Sequence, residues 1–120
     1  MHHHLVSGGI RSLADIVVET GEAREVHHVA TLLGFGARAV FPYVAFETIA
    51  DMSTSGAYGV DVSLERAEKN YVKAFDKGLL KVMSKMGIST VASYTGAQIF
   101  EAIGLGTELL EEYFLSLIHI

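Results

Sequence analysis

The feature that most constrains this chain is the order of patterns across residues 13–41: a β-branched run, a glycine turn, a helical stripe and a second apolar run. Leu13 to Glu19 reads Leu-Ala-Asp-Ile-Val-Val-Glu, and its Ile-Val-Val centre suits a short buried strand, because side chains branched at Cβ pack well on a pleated surface. Thr20-Gly21 ends it. A helix is predicted next. Glu22 and Glu25 lie in its first turn, where acid side chains face the positive end of the helix dipole, and Ala23, Val26, Val29, Ala30 and Leu33 make one apolar stripe. Gly34 and Gly36 stop it. Arg38-Ala39-Val40-Phe41 then resumes an extended pattern against Pro42, whose ring disfavours helix in the residue before it. Strand, helix and apolar strand in that order predict a parallel crossover, the building block of α/β sheets.

Downstream, Tyr43 to Met52 reads as a further helix, and Ser53 to Gly59 (Ser-Thr-Ser-Gly-Ala-Tyr-Gly) is the one stretch with linker composition. Leu64 to Met86 is predicted helical, in two pieces meeting at Gly78, with Val72, Phe75, Leu79, Val82 and Met86 along one face. Ile88 to Ser93 reads as a second buried strand. Gly96 to Ile103 is predicted as a helix on its start signal: Thr95 and Gln98 form a capping box, and Tyr94 and Ile99 suit a hydrophobic staple. Gly104-Leu105-Gly106 ends it, and Thr107 can cap a last helix to Phe114.

Composition excludes several function classes. A formal charge of −5 opposes a generic nucleic-acid footprint, which needs a basic face. The absence of cysteine removes disulfides, a thiol nucleophile and cysteine-held metal clusters from this segment. No apolar run approaches the ~18 residues that span a bilayer, so no membrane role is expected, and a cytoplasmic setting is.

The chemical signals are weak one by one. His2-His3-His4 in isolation reads as a purification tag, since three consecutive histidines cannot all face one metal from a helix. Glu25 and His28 have the glutamate-x-x-histidine spacing of bundle di-iron sites, but no other helix repeats it, so ordinary helix histidines are expected. Lys69, Lys73, Lys77, Lys81 and Lys85 recur every fourth residue and predict a solvated basic stripe. Gly34-Phe35-Gly36 and Gly104-Leu105-Gly106 lack the remaining glycines of a dinucleotide loop and read as helix stops. These signals alone describe an α/β piece without assigned chemistry. One reading open at this point is a non-catalytic interaction module whose lysine-rich helix face meets an acidic partner; another is a small flavin-binding protein.

Three longer segments carry more. His2-His3-His4-Leu5-Val6 is the first. The second runs from Val18 through Glu19-Thr20-Gly21-Glu22-Ala23-Arg24-Glu25-Val26-His27-His28 and Gly34-Phe35-Gly36-Ala37 to Pro42-Tyr43-Val44-Ala45-Phe46-Glu47-Thr48. The third runs from Asn70-Tyr71 and Lys77-Gly78-Leu79-Leu80-Lys81-Val82-Met83-Ser84-Lys85-Met86-Gly87-Ile88-Ser89-Thr90 to Ser93-Tyr94 and Gly96-Ala97-Gln98-Ile99-Phe100-Glu101-Ala102-Ile103-Gly104-Leu105. In this order they resemble the large subunit of glutamate synthase over most of residues 2–114. The resemblance makes the three histidines native and Met1 a start assigned at an internal codon. Phe41 departs from the asparagine often found before Pro-Tyr in the family. Thr95 stands where arginine is common, which argues against direct contact with an anionic substrate there. Residues 115–120 (Leu-Ser-Leu-Ile-His-Ile) fall outside the resemblance, read like a translated sequencing adapter, and are expected to be a non-native tail.

The resemblance implies a fragment of an enzyme that converts glutamine and 2-oxoglutarate to two glutamates. In that family a cysteine site releases ammonia, which reaches an FMN barrel, where 2-iminoglutarate is reduced with electrons passed through an iron-sulfur cluster. Partners would be the remainder of the large subunit and a small subunit or ferredoxin as donor, in the cytoplasm or, in a photosynthetic eukaryote, the plastid. Residues 1–52 would close the central domain, 53–62 form a linker, and 63–114 begin a TIM-type (β/α)8 barrel that is incomplete here. Ile88 to Ser93 would then be its first strand, placing Ser93 and Tyr94 toward FMN at the strand's C-terminal end. Gln98 and Glu101 on the following helix would approach flavin or substrate. No catalytic or metal-ligating residue is expected within the segment, and no cofactor is expected to bind tightly to it alone.

Overall fold

The computed structural model describes residues 1–59, 61–97 and 99–113. Gln98, Phe114 and the suspected tail 115–120 lie outside the described residues. The predicted strand-helix-strand unit is present: β1 (Val17–Glu19) pairs in parallel with β2 (Ala39–Phe41) through α2 (Val26–Gly34), in the register Val17 to Ala39, Val18 to Val40 and Glu19 to Phe41. The chain is therefore α/β with a parallel strand pair. The pairing extends one step at each end, with the Arg38 amide donating to the Ile16 carbonyl at 2.7 Å and the Thr20 amide to Phe41 at 3.1 Å.

The unit is shorter than its sequence pattern. Residues Arg11–Leu13 form a 3-10 turn rather than the start of β1, and the Arg11 guanidinium holds the following bend by donating to the Ala14 carbonyl at 2.6 Å. Helix α2 starts at Val26, so Glu22 and Glu25 precede its first turn. Thr20 Oγ1 accepts from the Glu22 amide and keeps that stretch in a turn. The apolar stripe still sets the core: Ala23, Val29, Ala30 and Leu33 are buried with Ala37, Met83 and Tyr94.

Helix α3 (Tyr43–Ser55) runs past Met52 into the expected linker and ends at Gly56, whose φ of 72° is the left-handed conformation that closes helices without a Cβ clash. Ser53 Oγ donates to the Val62 carbonyl across the connection. Ser63 then caps α4 (Leu64–Lys85) by accepting the Arg66 amide. Helix α4 is one continuous element and not two pieces at Gly78. A β-carbon at Gly78 would lie 2.5 Å from Val26 Cγ2 and 2.6 Å from Cγ1, so this glycine is the groove through which α2 crosses α4. Around Tyr71 an aromatic chain joins the helices: its ring meets Phe46 and Phe75 edge-on, with centroids at 5.6 and 4.6 Å, and its hydroxyl donates to the Arg24 carbonyl.

Two expected elements are absent. Ile88 to Ser93 is not a strand: residues 88–90 are irregular and Val91–Tyr94 is a short helix, α5. Gly87 at φ 69° turns the chain out of α4, and Thr90 Oγ1 accepts the Ser93 amide as an N-cap. That local cap outweighs the β-branched composition, and among the described residues no strand stands beside it to pair. The expected helix Gly96 to Ile103 is likewise not formed at residues 97 and 99–103. Gly96 takes φ 73° and donates its amide to the Leu33 carbonyl, while Thr95 closes α5 by donating Oγ1 to Val91 rather than opening a new helix. Helix α6 (Thr107–Tyr113) begins at the predicted threonine.

Candidate functional site

The residues singled out in the sequence part company in space. Tyr94 is 1% exposed, and its hydroxyl donates to the Ala30 carbonyl at 2.9 Å. Its ring meets Phe100 edge-on at 6.5 Å, and burial raises its pKa above the ordinary tyrosine value. Ser93, one residue earlier, is on the surface, where Oγ accepts from Thr90 Oγ1 at 2.7 Å. Glu101 is exposed on an irregular segment. As folded, Ser93 and Tyr94 therefore share no surface on which a flavin ring could lie, and Tyr94 has no free hydroxyl to offer. Ser93 and Glu101 are the members of the expected set that solvent reaches.

The largest concavity is a cleft of about 500 Å³ beside the α2–α4 crossing. Val26, Gly78, Val82, Met86 and Phe100 line its floor, and Lys81, Lys85, Glu25 and His27 stand at its rim. This is an apolar groove with a mixed-charge border. The lysine stripe supplies that border and is exposed along its length, with Lys69 held by Glu65 at 2.6 Å. An exposed pair at this helical spacing contributes about 0.2–0.5 kcal/mol, so the stripe is a solvated face.

Glu25 and His28 do not form a metal half-site. His28 Nδ1 accepts the Arg24 and Glu25 amides at 3.1 and 3.3 Å, which satisfies donors left open at the start of α2. The spacing that suggested a metal is thus a helix-start device. Among the described residues no group of three or more metal-ligating side chains converges.

A second polar cluster was missed at the sequence level. His2 lies in α1 (His2–Ser7), and its Nδ1 accepts from Arg11 Nε at 3.0 Å. Arg11 also donates to the Gly36 carbonyl at 2.9 Å. A β-carbon at Gly36 would meet His2 Nδ1 at 2.6 Å, and Gly36 has φ 111°, so only glycine admits the ring. Burial, then the Arg11 charge, then His3 and the amino terminus lower the His2 pKa below 6.5. The only signal for this contact was a histidine beside a glycine-rich stop far along the chain, which local spacing does not connect.

Comparison with known proteins extends these observations. Residues 1–106 match the family described as glutamate synthase central domain. The chain is 50% identical over 114 residues to the glutamate synthase (NADPH) large chain of Bacillus subtilis, covering 95% of this chain and 7% of that protein. It is 50% identical over 115 residues to the glutamate synthase (NADH) of Schizosaccharomyces pombe, covering 96% and 5%. To the ferredoxin-dependent glutamate synthase of Pyropia yezoensis it is 46% identical over 118 residues, covering 92% and 8%. The chain thus spans less than a tenth of the length of these relatives.

Proposed function

The chain belongs to the glutamate synthase family through its central domain, and on that premise we infer that it is one segment of a glutamate synthase large subunit. The observation that carries this reading is the asymmetry of the match, which takes in nearly all of this chain and a small part of each relative. The whole enzyme would convert L-glutamine and 2-oxoglutarate to two L-glutamates, with FMN and an iron-sulfur cluster. The segment itself is a positioning element without turnover of its own. With no cysteine in the chain, thiolate ligands for a cluster come from elsewhere. The electron donor would be a small subunit carrying electrons from a nicotinamide, or ferredoxin. A cytoplasmic or plastid setting goes with this reading, and no helix among the described residues is long and apolar enough to cross a membrane.

We place residues 1–106 together in the central domain. The family match runs unbroken through residues 53–62, where a boundary was expected, and α4 packs on both α2 and α3. The missing strand at Ile88 to Ser93 supports the same placement and moves the start of an FMN barrel beyond this stretch. A flavin contact in the intact subunit would fall to Ser93, with Tyr94 holding the turn beneath it, and a substrate contact to Glu101.

The test is to recover the flanking reading frame and assay the intact subunit with its donor for reductant oxidation that requires both glutamine and 2-oxoglutarate. A frame that closes within a few residues of either end, or an intact product without that activity, overturns the reading. Ser93→Ala in the active subunit is expected to lower flavin content. Unchanged occupancy and kinetics would remove Ser93 from the flavin site.

A further inference from the structure

β1 and β2 are three residues long and form a parallel pair with no third strand among the described residues. Parallel sheets are normally wider and covered on both faces, and an isolated strand pair is marginal in water. Here one face is covered. Val18 and Val40, opposite each other in register, pack against the core. Val17, Glu19, Ala39 and Phe41 point to the other face and are all exposed, Val17 at 68% and Phe41 at 47%. Each strand also keeps an outer edge, and an open edge beside apolar side chains invites pairing.

The whole chain shows the same excess. Its accessible surface is 8277 Å², against about 6,300 Å² for a folded monomer of its mass. Surface that a free-standing domain buries is left open. The relatives supply the missing polypeptide, since this chain covers only 5–8% of their length.

We propose that the Val17, Ala39 and Phe41 face and its adjoining strand edge form an internal docking surface, on which the same large subunit lays a further parallel strand and apolar cover from outside residues 1–120. The proposal rests on the large-subunit reading. The surface is uncharged apart from Glu19, which suits an apolar segment and not an anionic ligand. An intramolecular strand is the occupant favoured by energetics. Three-residue edges cannot offset the cost of bringing two free molecules together, whereas a tethered segment arrives at high effective concentration.

The experiment places the photo-crosslinker p-benzoylphenylalanine at position 41 of the intact, active large subunit and maps the products by mass spectrometry. Hydrogen exchange is followed in parallel on the unsubstituted subunit, so that the result does not depend on the variant folding. The expected result is a crosslink from position 41 to an apolar segment of the same polypeptide outside residues 1–120, with the amides of Val17 and Glu19 slowed by about 100-fold or more. A crosslink to a second copy or to another subunit overturns the proposal, as does rapid exchange at both amides with no crosslink. Failure of the large-subunit reading is seen separately, as an intact product without glutamine- and 2-oxoglutarate-dependent activity.

Discussion

Gly78 shows how one residue changes meaning between pattern and packing. In an exposed helix interior, replacing glycine by alanine gains about 1 kcal/mol. At this crossing the added carbon meets both γ-carbons of Val26, a stiff side chain with few rotamers to retreat into. Overpacking of this kind costs about 1–3 kcal/mol, so Gly78→Ala is expected to destabilise by up to about 2 kcal/mol in urea titration despite its better helix propensity. Adding Val26→Ala opens the space again, and the pair should be more stable than the sum of the single changes predicts. Tyr94 makes the opposite case, a polar group whose role is in the core. Tyr94→Phe keeps the ring and deletes the bond to the Ala30 carbonyl, a loss of about 1 kcal/mol. Tyr94→Ala also leaves a cavity and should cost about 3–5 kcal/mol. Equal losses from the two changes would show that the hydroxyl, not the ring, carries the stability.

Among the elements, α1 is held by the most condition-sensitive contact. His2 Nδ1 can accept from Arg11 only while the imidazole is neutral. Its pKa lies below that of the unfolded chain, so the folded state binds fewer protons and stability rises with pH. The contribution is present above about pH 6.5 and is lost as pH falls toward the lower folded value. Thermal midpoints should therefore decline from about pH 7.5 to about pH 5.5, and less steeply in His2→Gln, whose amide does not titrate. An identical slope in the two proteins would remove His2 from the explanation. The same element scale separates what the sequence made legible from what it hid. The β1–α2–β2 unit was readable because alternation, helical stripe and Pro42 all agree over neighbouring residues. Residues 88–103 were not. There Thr90 competes with a β-branched run, and Gly96 is fixed by the Leu33 carbonyl more than sixty positions back. Phe100 fills a site where a β-carbon on Gly34 would lie 2.7 Å from its ring, a contact no local window contains. Of the site set, only the neighbourhood of Ser93 and Tyr94 was legible, and their opposite orientations came from that same long-range packing.

For the whole molecule, the decisive quantity is how little of it is closed. The radius of gyration is 17.0 Å, against about 14 Å for a compact domain of this length, and the described core is one cluster around α2, with Met83 and Tyr94 reaching into it. A flavin pocket needs a concave, largely preformed wall that buries most of the ring system. The cleft beside α2 and α4 is open, its rim carries charges of both signs, and Tyr94 is turned away from solvent. Purified residues 1–120 titrated with micromolar FMN should therefore show no saturable quenching of flavin fluorescence, while the intact subunit retains flavin through gel filtration. Saturable one-to-one binding by the isolated chain would overturn the fragment reading, because it would require a complete flavin wall within these residues. The same comparison separates the two scales of stability: if the open sheet face is covered in the intact subunit, ligand-free intact protein should protect β1 and β2 from exchange where the isolated chain does not, with no flavin needed for the difference.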